Sequence, residues 1–278
     1  MTRKMTSADS SQEVDQRYLV PGLLRGLQIL HTFTPERQQQ TIAEIARAAG
    51  ITRTTAFRLV YTLEHTQHLR KVPNSRNYEL GSRALDLSHA YLSCLDMIET
   101  ANPILKALRD ETQTSTHLMV LEGRDVVYIA RFAGTTSLVS TQCVGSRLPA
   151  HATAPGRILL TGLTLSEIAA LYENVPLQSY SGAAPDSIGA LISRVEEDRR
   201  ASSIVSWGAY EPSVAAIAAP VYGQDGKILA AISATCPLST FSQEEFSTVI
   251  RGHVETAAMT LSRALGYRRP ASAGDARR

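Results

Sequence analysis

Apolar residues return every three to four positions over residues 21–32, where Leu23, Leu27 and Leu30 repeat with Leu24 and Ile29 beside them, a helical period. A second run, TIAEIARAAG, places Ile42, Ile45, Ala46 and Ala49 on one helical stripe. Thr41 and Glu44 at its start form a capping-box pattern, and Gly50 closes it because glycine takes a positive φ without a Cβ clash. A third helix follows at once in ITRTTAFRLVYTLEHT, with Ala56, Leu59, Val60 and Leu63 on the apolar side. Its other side carries Thr54, Arg58 and Tyr61, flanked by Phe57. Two helices joined by a short turn at Gly50 describe a helix-turn-helix, with a plain helical hairpin as the alternative.

After the third helix, HLRKV and NYELG flank PNSRN, whose composition favours a turn, so a two-stranded wing is expected. From 82 onward few breakers appear before Pro103. A linker helix is therefore expected over 82–100, and a further helix from Asn102 with Pro103 in its first turn. Beyond it, strand-like runs fall at 115–121, 126–131, 138–144, 215–221 and 227–235, with helical runs at 155–162, 186–200 and 244–265. Asp225-Gly226 supplies a hairpin turn between the last two strands. The class is α+β with a largely antiparallel sheet.

Charge sharpens this division. The 278 residues carry a formal net charge of +2. Residues 1–90 hold 12 Lys+Arg against 8 Asp+Glu, a net of +4, and the remainder hold 16 against 18, a net of −2. Within 53–77 the bases Arg53, Arg58, Arg70, Lys71 and Arg76 face a single acid, Glu64. Arginine can bond guanine bidentately, and threonine can meet a phosphate or a thymine methyl. Wing cations can touch phosphates or enter a minor groove. The candidate DNA contacts are Arg25, Arg53, Thr54, Thr55, Phe57, Arg58, Tyr61, Arg70, Lys71 and Arg76. One such module reads few base pairs, so a dimer on a palindromic double-stranded operator is expected.

Other classes find little support. The longest apolar run, near 214–221, is far short of a membrane span, and the polar first residues lack a secretory h-region, so a disordered leader over 1–18 and a cytoplasmic protein are expected. Cys94, Cys143 and Cys236 are widely spaced and fit reduced, structural thiols. The chain lacks a GxSxG elbow, a P-loop, GxGxxG and HExxH, so no catalytic residue and no cofactor are assigned. His65 and His68 lack companion ligands nearby, and no metal site is assigned. His117 and His151 read as structural histidines, although His151 adjoins the most chemical stretch of the second half, HATAPGR over 151–157. There Thr153 can cap a helix, Pro155 suits its first turn and Gly156 permits close approach to the backbone. A helix start of this kind can hold a carboxylate, and an ordinary capped helix is the alternative.

The segments LLRGLQIL, TIAEIARAAGITRTTAFRLVYTLE, YELG, GSRLPAHATAPGRILL and IAAPVYGQDGKILAAIS, in this order from about Val20 to Leu265, resemble the IclR family of bacterial transcriptional regulators. The resemblance implies a winged helix-turn-helix over 19–81, a linker helix over 82–100, a GAF-like effector domain with an antiparallel sheet flanked by helices over 101–267, and a flexible tail over 268–278. It also implies homodimers or dimers of dimers. The effector pocket it implies is lined by Ser140, Leu148, Ala154, Pro155, Ser206, Val214, Ala216, Ser233 and Thr235, a lining suited to a small organic acid. YLVPGLLRGLQIL and HAYLSCL are most like the branch that controls aromatic-acid catabolism, which points to an aromatic carboxylate. An aliphatic acid, or a ligand-sensing module without specific DNA binding, is the alternative. The chain departs from the family pattern at Thr52 (commonly proline), Arg157 (often lysine) and Ser213 (often glycine). At Gln67 the family usually has glycine, which leaves a side chain at a position expected to need positive φ.

Overall fold

The computed structural model describes residues 15–93, 95–135, 142–178, 180 and 184–268. The chain divides into two compact units, Met1–Ser93 and Cys94–Arg278.

A 3-10 turn at Gln16–Tyr18 lies inside the stretch read as a disordered leader; residues 1–14 of that stretch lie outside the described residues. Then come α1 (Pro21–His31), β1 (Gln40–Thr41), α2 (Ile42–Ala48), α3 (Arg53–His65), β2 (Leu69–Lys71), β3 (Asn77–Leu80) and α4 (Arg83–Ser93). Thr41 and Glu44 make the expected capping box, each satisfying a backbone N–H of the other. Gly50, at φ 62°, turns the chain from α2 into α3, whose Thr52 hydroxyl accepts from the Thr55 N–H at 3.3 Å. Ile29, Ile45, Ala49, Val60, Leu69 and Tyr78 close a small core, with Leu59 and Leu63 packed on it. β3 pairs antiparallel with both β1 and β2. The β2–β3 turn runs through Asn74 at φ 56°, with Val72 N–H bonded to Asn77 C=O at 2.9 Å. The wing is as the sequence predicts.

The linker differs. The helix expected over 82–100 ends at Ser93, and α5 (Asp96–Thr112) takes over, with Pro103 as its eighth residue rather than in its first turn. The buried stripe Ala101, Leu105, Leu108 and Thr112 belongs to this second helix and sets its course. Pro103 lies on the exposed side, where the carbonyl it leaves without a partner can be hydrated.

The second unit is built on one antiparallel sheet of β4 (Ser115–Glu122), β5 (Asp125–Phe132), β6 (Arg147–Pro149), β7 (Ile204–Trp207), β8 (Val214–Tyr222) and β9 (Ile228–Pro237), in the order β6-β5-β4-β9-β8-β7. Helices α5 and α10 (Arg251–Ala264) pack on one face. A short α9 (Gln243–Glu245) and a π-helical turn (Phe246–Ile250) lead into α10. Helix α6 (Ala154–Leu160) covers the other face, backed by α8 (Ile188–Asp198) and α7 (Leu165–Leu171). Strand alternation sorts the side chains. Ala231 and Ser233 of β9, Met119 and His117 of β4, and Ala216 and Ala218 of β8 share the α6 side, by their register. Four of the expected strands appear nearly as read. The one expected over 138–144 falls partly outside the described residues, and its described end, from Gln142 to Val144, is not strand; the chain joins the sheet three residues later as β6, where Arg147–Pro149 pair with Asp125–Val127. Residues 269–278 of the expected tail lie outside the described residues.

Beneath α6 lies a buried ion pair, Arg157 Nε to Asp198 Oδ2 at 3.0 Å, with side chains 6% and 10% exposed. Burial pulls the Arg157 guanidinium below its ordinary pKa and pushes the Asp198 carboxyl above its own, each against the partner's attraction. Such a pair gives little net stability, yet an orphaned member is costly. Arg157→Met should therefore cost about 3–5 kcal/mol in urea unfolding, and adding Asp198→Leu should recover most of that loss. A double variant no more stable than the single one would contradict the pairing.

Candidate functional site

The first candidate site is the outer side of α3. Its inner side is fixed by Ala56 and Val60, both buried, and this forces Arg53, Thr54, Phe57, Arg58 and Tyr61 outward. Phe57 and Tyr61 are 55% and 67% exposed, although aromatic rings are ordinarily drawn into a core. Thr55, also expected among the DNA contacts, is half-buried, and its hydroxyl lies 2.9 Å from the Thr52 hydroxyl at the helix cap. On the wing, Lys71 and Arg76 are exposed. Arg70 is exposed too but holds Glu79 Oε1 at 2.6 Å across the β2–β3 pair, and Gln39 binds the other Glu79 oxygen at 3.1 Å. Arg25 is exposed on α1. Exposed threonine, guanidinium and aromatic groups on one helix, beside a basic hairpin, are a surface suited to base edges and phosphates. The wing is entered through Gln67 at φ 62°, the positive-φ position the sequence pointed to. The chain passes so close there that a Cβ on Gly81 would meet the Gln67 carbonyl oxygen at 2.1 Å.

The second candidate site is a cavity between the sheet and the start of α6. Eight of the nine residues expected to line an effector pocket meet around it: Leu148, Ala154, Pro155, Ser206, Val214, Ala216, Ser233 and Thr235. The ninth, Ser140, lies outside the described residues. Tyr128, Gln142, Thr153, Tyr210 and Glu211 complete the lining and were not anticipated. Tyr128 could have been found, because it falls on a predicted strand at an inward position. Tyr210 and Glu211 sit in the β7–β8 connection, and nothing local marks them. The cavity volume is about 50 Å³, small beside the roughly 300–1,000 Å³ of ligand pockets, so a ligand must displace part of this lining on entry.

The polar groups of this cavity are unevenly satisfied. Thr235 Oγ1 is buried with no hydrogen-bond partner. Ser233 Oγ lies 3.4 Å from His117 Nδ1 and donates to Met119 Sδ at 3.7 Å. The Tyr128 phenol is pushed well above its ordinary pKa, chiefly by burial and then by Tyr210 and Glu211, so it stays a donor. At the start of α6, the Thr153 hydroxyl accepts from Gly156 N–H at 3.2 Å, and the Thr153 carbonyl accepts from Arg157 N–H at 3.0 Å. Pro155 has no N–H to give. The N–H left over in this first turn is therefore that of Ala154, a residue that lines the cavity. Gly156 is packed against the protein itself, since a Cβ there would meet Ala150 backbone oxygen at 2.2 Å. His151 is buried, with Nε2 3.1 Å from the Gln178 carbonyl and its ring near Tyr172 and Tyr180, and it does not line the cavity. His68 Nδ1 lies 3.0 Å from Thr66 Oγ1. Among the described residues, no three His, Cys, Asp or Glu side chains gather as a metal site would require. None of the described helices is long and apolar enough to cross a membrane.

Family models match the domains that carry these two surfaces. Residues 22–73 match the IclR helix-turn-helix domain, and residues 89–263 match the bacterial transcriptional regulator IclR C-terminal domain. The chain belongs to the IclR family. It is 29% identical over 249 residues to the HTH-type transcriptional regulator XynR of Escherichia coli, covering 90% of this chain and 98% of that protein. It is likewise 29% identical over 224 residues to the Pca regulon regulatory protein of Pseudomonas putida, covering 80% and 76%. The fold matches that of an IclR homolog from Microbacterium hydrocarbonoxydans complexed with 4-hydroxybenzoate, with a TM-score of 0.75 at 24% identity over 88% of this chain and 98% of that one. This IclR-family chain is thus a DNA-binding transcriptional regulator with a C-terminal effector domain, and its relatives are named regulators rather than enzymes.

Two outcomes follow from the geometry. Gln67→Gly should stabilise the first unit by about 1 kcal/mol, the cost of a side chain in the left-handed region, read as a raised midpoint in urea; a lowered midpoint would refute strain at the wing entry. His117 is fully buried, and desolvation, aided by Arg131, lowers its pKa to about 3 from 6.5. Below pH 6.5 the unfolded chain binds a proton that the folded chain refuses. Stability contributed by the neutral ring is therefore complete above pH 6.5 and falls by about 1.4 kcal/mol per unit down to pH 3. Urea unfolding across this range should show that slope, and His117→Gln should remove it.

Proposed function

We propose that the chain regulates transcription by placing α3 in the major groove of a palindromic operator, and that its C-terminal unit responds to a small aromatic carboxylate. In this reading Arg53, Thr54, Phe57, Arg58 and Tyr61 meet base edges and nearby backbone, with Arg25, Lys71 and Arg76 on phosphates. Arg70 reaches DNA by exchanging Glu79 for a phosphate, and Thr55 supports the helix start. The carrying observation is the outward set of Arg53, Phe57, Arg58 and Tyr61 on a helix whose opposite side is buried. Residues 19–81 form the DNA-binding domain, α4 the link, and α5 with the elements after it the effector domain.

The chain acts as a homodimer, or a pair of them. The apolar stripe of α1 supports this, since Leu23, Leu24 and Leu27 are 62%, 47% and 48% exposed and a second copy would bury them. The ligand lies among Leu148, Ala154, Pro155, Ser206, Val214, Ala216, Ser233 and Thr235, and its carboxylate rests on the Ala154 N–H and the Tyr128 hydroxyl. Support for an aromatic acid comes from the 4-hydroxybenzoate bound to the Microbacterium homolog and from the similarity to the Pca regulon protein. The ligand acts by binding one arrangement of the DNA-binding domains better than another.

Fluorescence anisotropy on an operator selected from random duplexes tests the reading of α3. Arg53→Ala and Arg58→Ala should each cost about 1–3 kcal/mol of operator affinity while thermal unfolding stays the same, and Arg76→Ala should weaken all duplexes alike and flatten the salt dependence. Unaltered operator affinity in the Arg53→Ala, Arg58→Ala double variant would overturn the assignment.

A further inference from the structure

The register sets Arg131 of β5, His117 of β4 and Ser233 of β9 side by side across the sheet. Ser233 lines the cavity, His117 stands behind it, and both are fully buried. Ser233 Oγ lies 3.4 Å from His117 Nδ1. Desolvation, aided by Arg131, lowers the His117 pKa to about 3, so the ring is neutral and carries one N–H, on Nδ1 or on Nε2. Nε2 is buried with no hydrogen-bond partner among the described residues. A proton there would be an orphaned donor in the field of the Arg131 cation. A bare lone pair at Nε2 costs less, because a buried N–H without an acceptor is the rarer case and a nearby cation favours the lone pair. The proton therefore belongs on Nδ1.

The single proton of Ser233 follows from this placement. With Nδ1–H donating to Oγ, the serine proton must go elsewhere. It goes to Met119 Sδ at 3.7 Å, a weak acceptor that a ligand oxygen can replace. The other tautomer would reverse the arrangement. Nδ1 would then take the serine proton and leave only oxygen lone pairs toward a ligand, which repel a carboxylate. One ring proton decides whether Ser233 attracts an anion.

The geometry points to His117 as a positioning residue of the effector pocket: protonated on Nδ1 and bonded to Ser233 Oγ, it leaves the serine hydroxyl as a donor to the ligand's carboxylate. This rests on the carboxylate-pocket reading above and adds a third uncharged donor to those of Ala154 and Tyr128. Tyr128 packs against the same imidazole, with ring centroids 5.2 Å apart. Once Ser233 gives its proton to a carboxylate, its oxygen becomes a better acceptor and the bond from Nδ1–H tightens.

Nuclear magnetic resonance of the full chain with 15N-labelled histidine, at about pH 7, tests the inference. The His117 signals are those lost in His117→Gln. Nδ1 should resonate as the protonated nitrogen and Nε2 as the bare one. Saturating benzoate should move the Hδ1 signal downfield, a shift that packing alone would not produce and that should vanish in Ser233→Ala. Isothermal titration with benzoate and 4-hydroxybenzoate supplies the second readout. Ser233→Ala should weaken the acid that binds by about ten- to hundredfold and His117→Leu by about three- to tenfold, whereas His117→Gln, whose amide can donate to Ser233, should stay within about threefold. Should His117→Leu fail to fold, the spectra and Ser233→Ala decide. A proton on Nε2 overturns the role of His117. Equal affinity in Ser233→Ala overturns it too, and leaves the carboxylate pocket standing. Binding of neither acid by the unaltered chain overturns the carboxylate pocket itself, and with it the role of Ser233 as donor.

Discussion

The backbone contact between Ala150 and Gly156 governs the second unit. A Cβ at position 156 would stand 2.2 Å from the Ala150 oxygen and 2.3 Å from its Cα, so only hydrogen fits between the two segments. That contact folds the chain back on itself between β6 and α6 and seats the helix on the sheet. It explains why every residue of α6 is buried, including Arg157, which must then find Asp198 rather than water. It also limits what the start of α6 can do for a ligand. Gly156 looks in sequence like a place for a ligand to approach, and the structure spends that freedom on internal packing.

Polarity on the α6 side of the sheet follows from the same arrangement. Ser206, Ser233 and Thr235 stand among alanines, which keeps volume open, and Leu148 and Pro155 cap it. His117, behind Ser233, is held neutral by desolvation and serves as a packing element with a T-shaped contact to Tyr128 at 5.2 Å. A protonated imidazole there would stand unsolvated beside Arg131. Among its described lining residues the pocket thus rests on uncharged hydrogen-bonding groups, with Glu211 the one acid.

In the first unit the controlling fact is simpler. A helix of thirteen residues has two sides, and the small core of Ile29, Ile45, Ala49, Val60 and Leu69 claims one of them. Phe57 and Tyr61 remain exposed because their positions are rotated away from that core. Exposed rings cost solubility and are tolerated where another surface covers them. The same reasoning applies to Leu23, Leu24 and Leu27 on α1, which repeat at helical spacing yet contribute little to the core of their own unit.

By itself, the sequence determined what is local. Thr41 with Glu44, Gly50, the turn around Asn74 and the Asp225-Gly226 hairpin each act over a few residues, so their outcome is written in those residues. Period and burial of α2 and α3 were legible for the same reason, and a second capping box at Thr164 and Glu167 was equally available as a mark of α7. What tertiary structure alone decided is non-local. The start of a new helix at Asp96 was set by the buried stripe of α5 rather than by Pro103, and the short strands β6 and β7 exist because a neighbouring strand offers unpaired backbone groups. Gathering Ser206, Tyr210 and Glu211 against Tyr128 and Thr153 required residues some 50 to 80 positions apart to meet, and no local pattern records which distant side chain will face a given cavity.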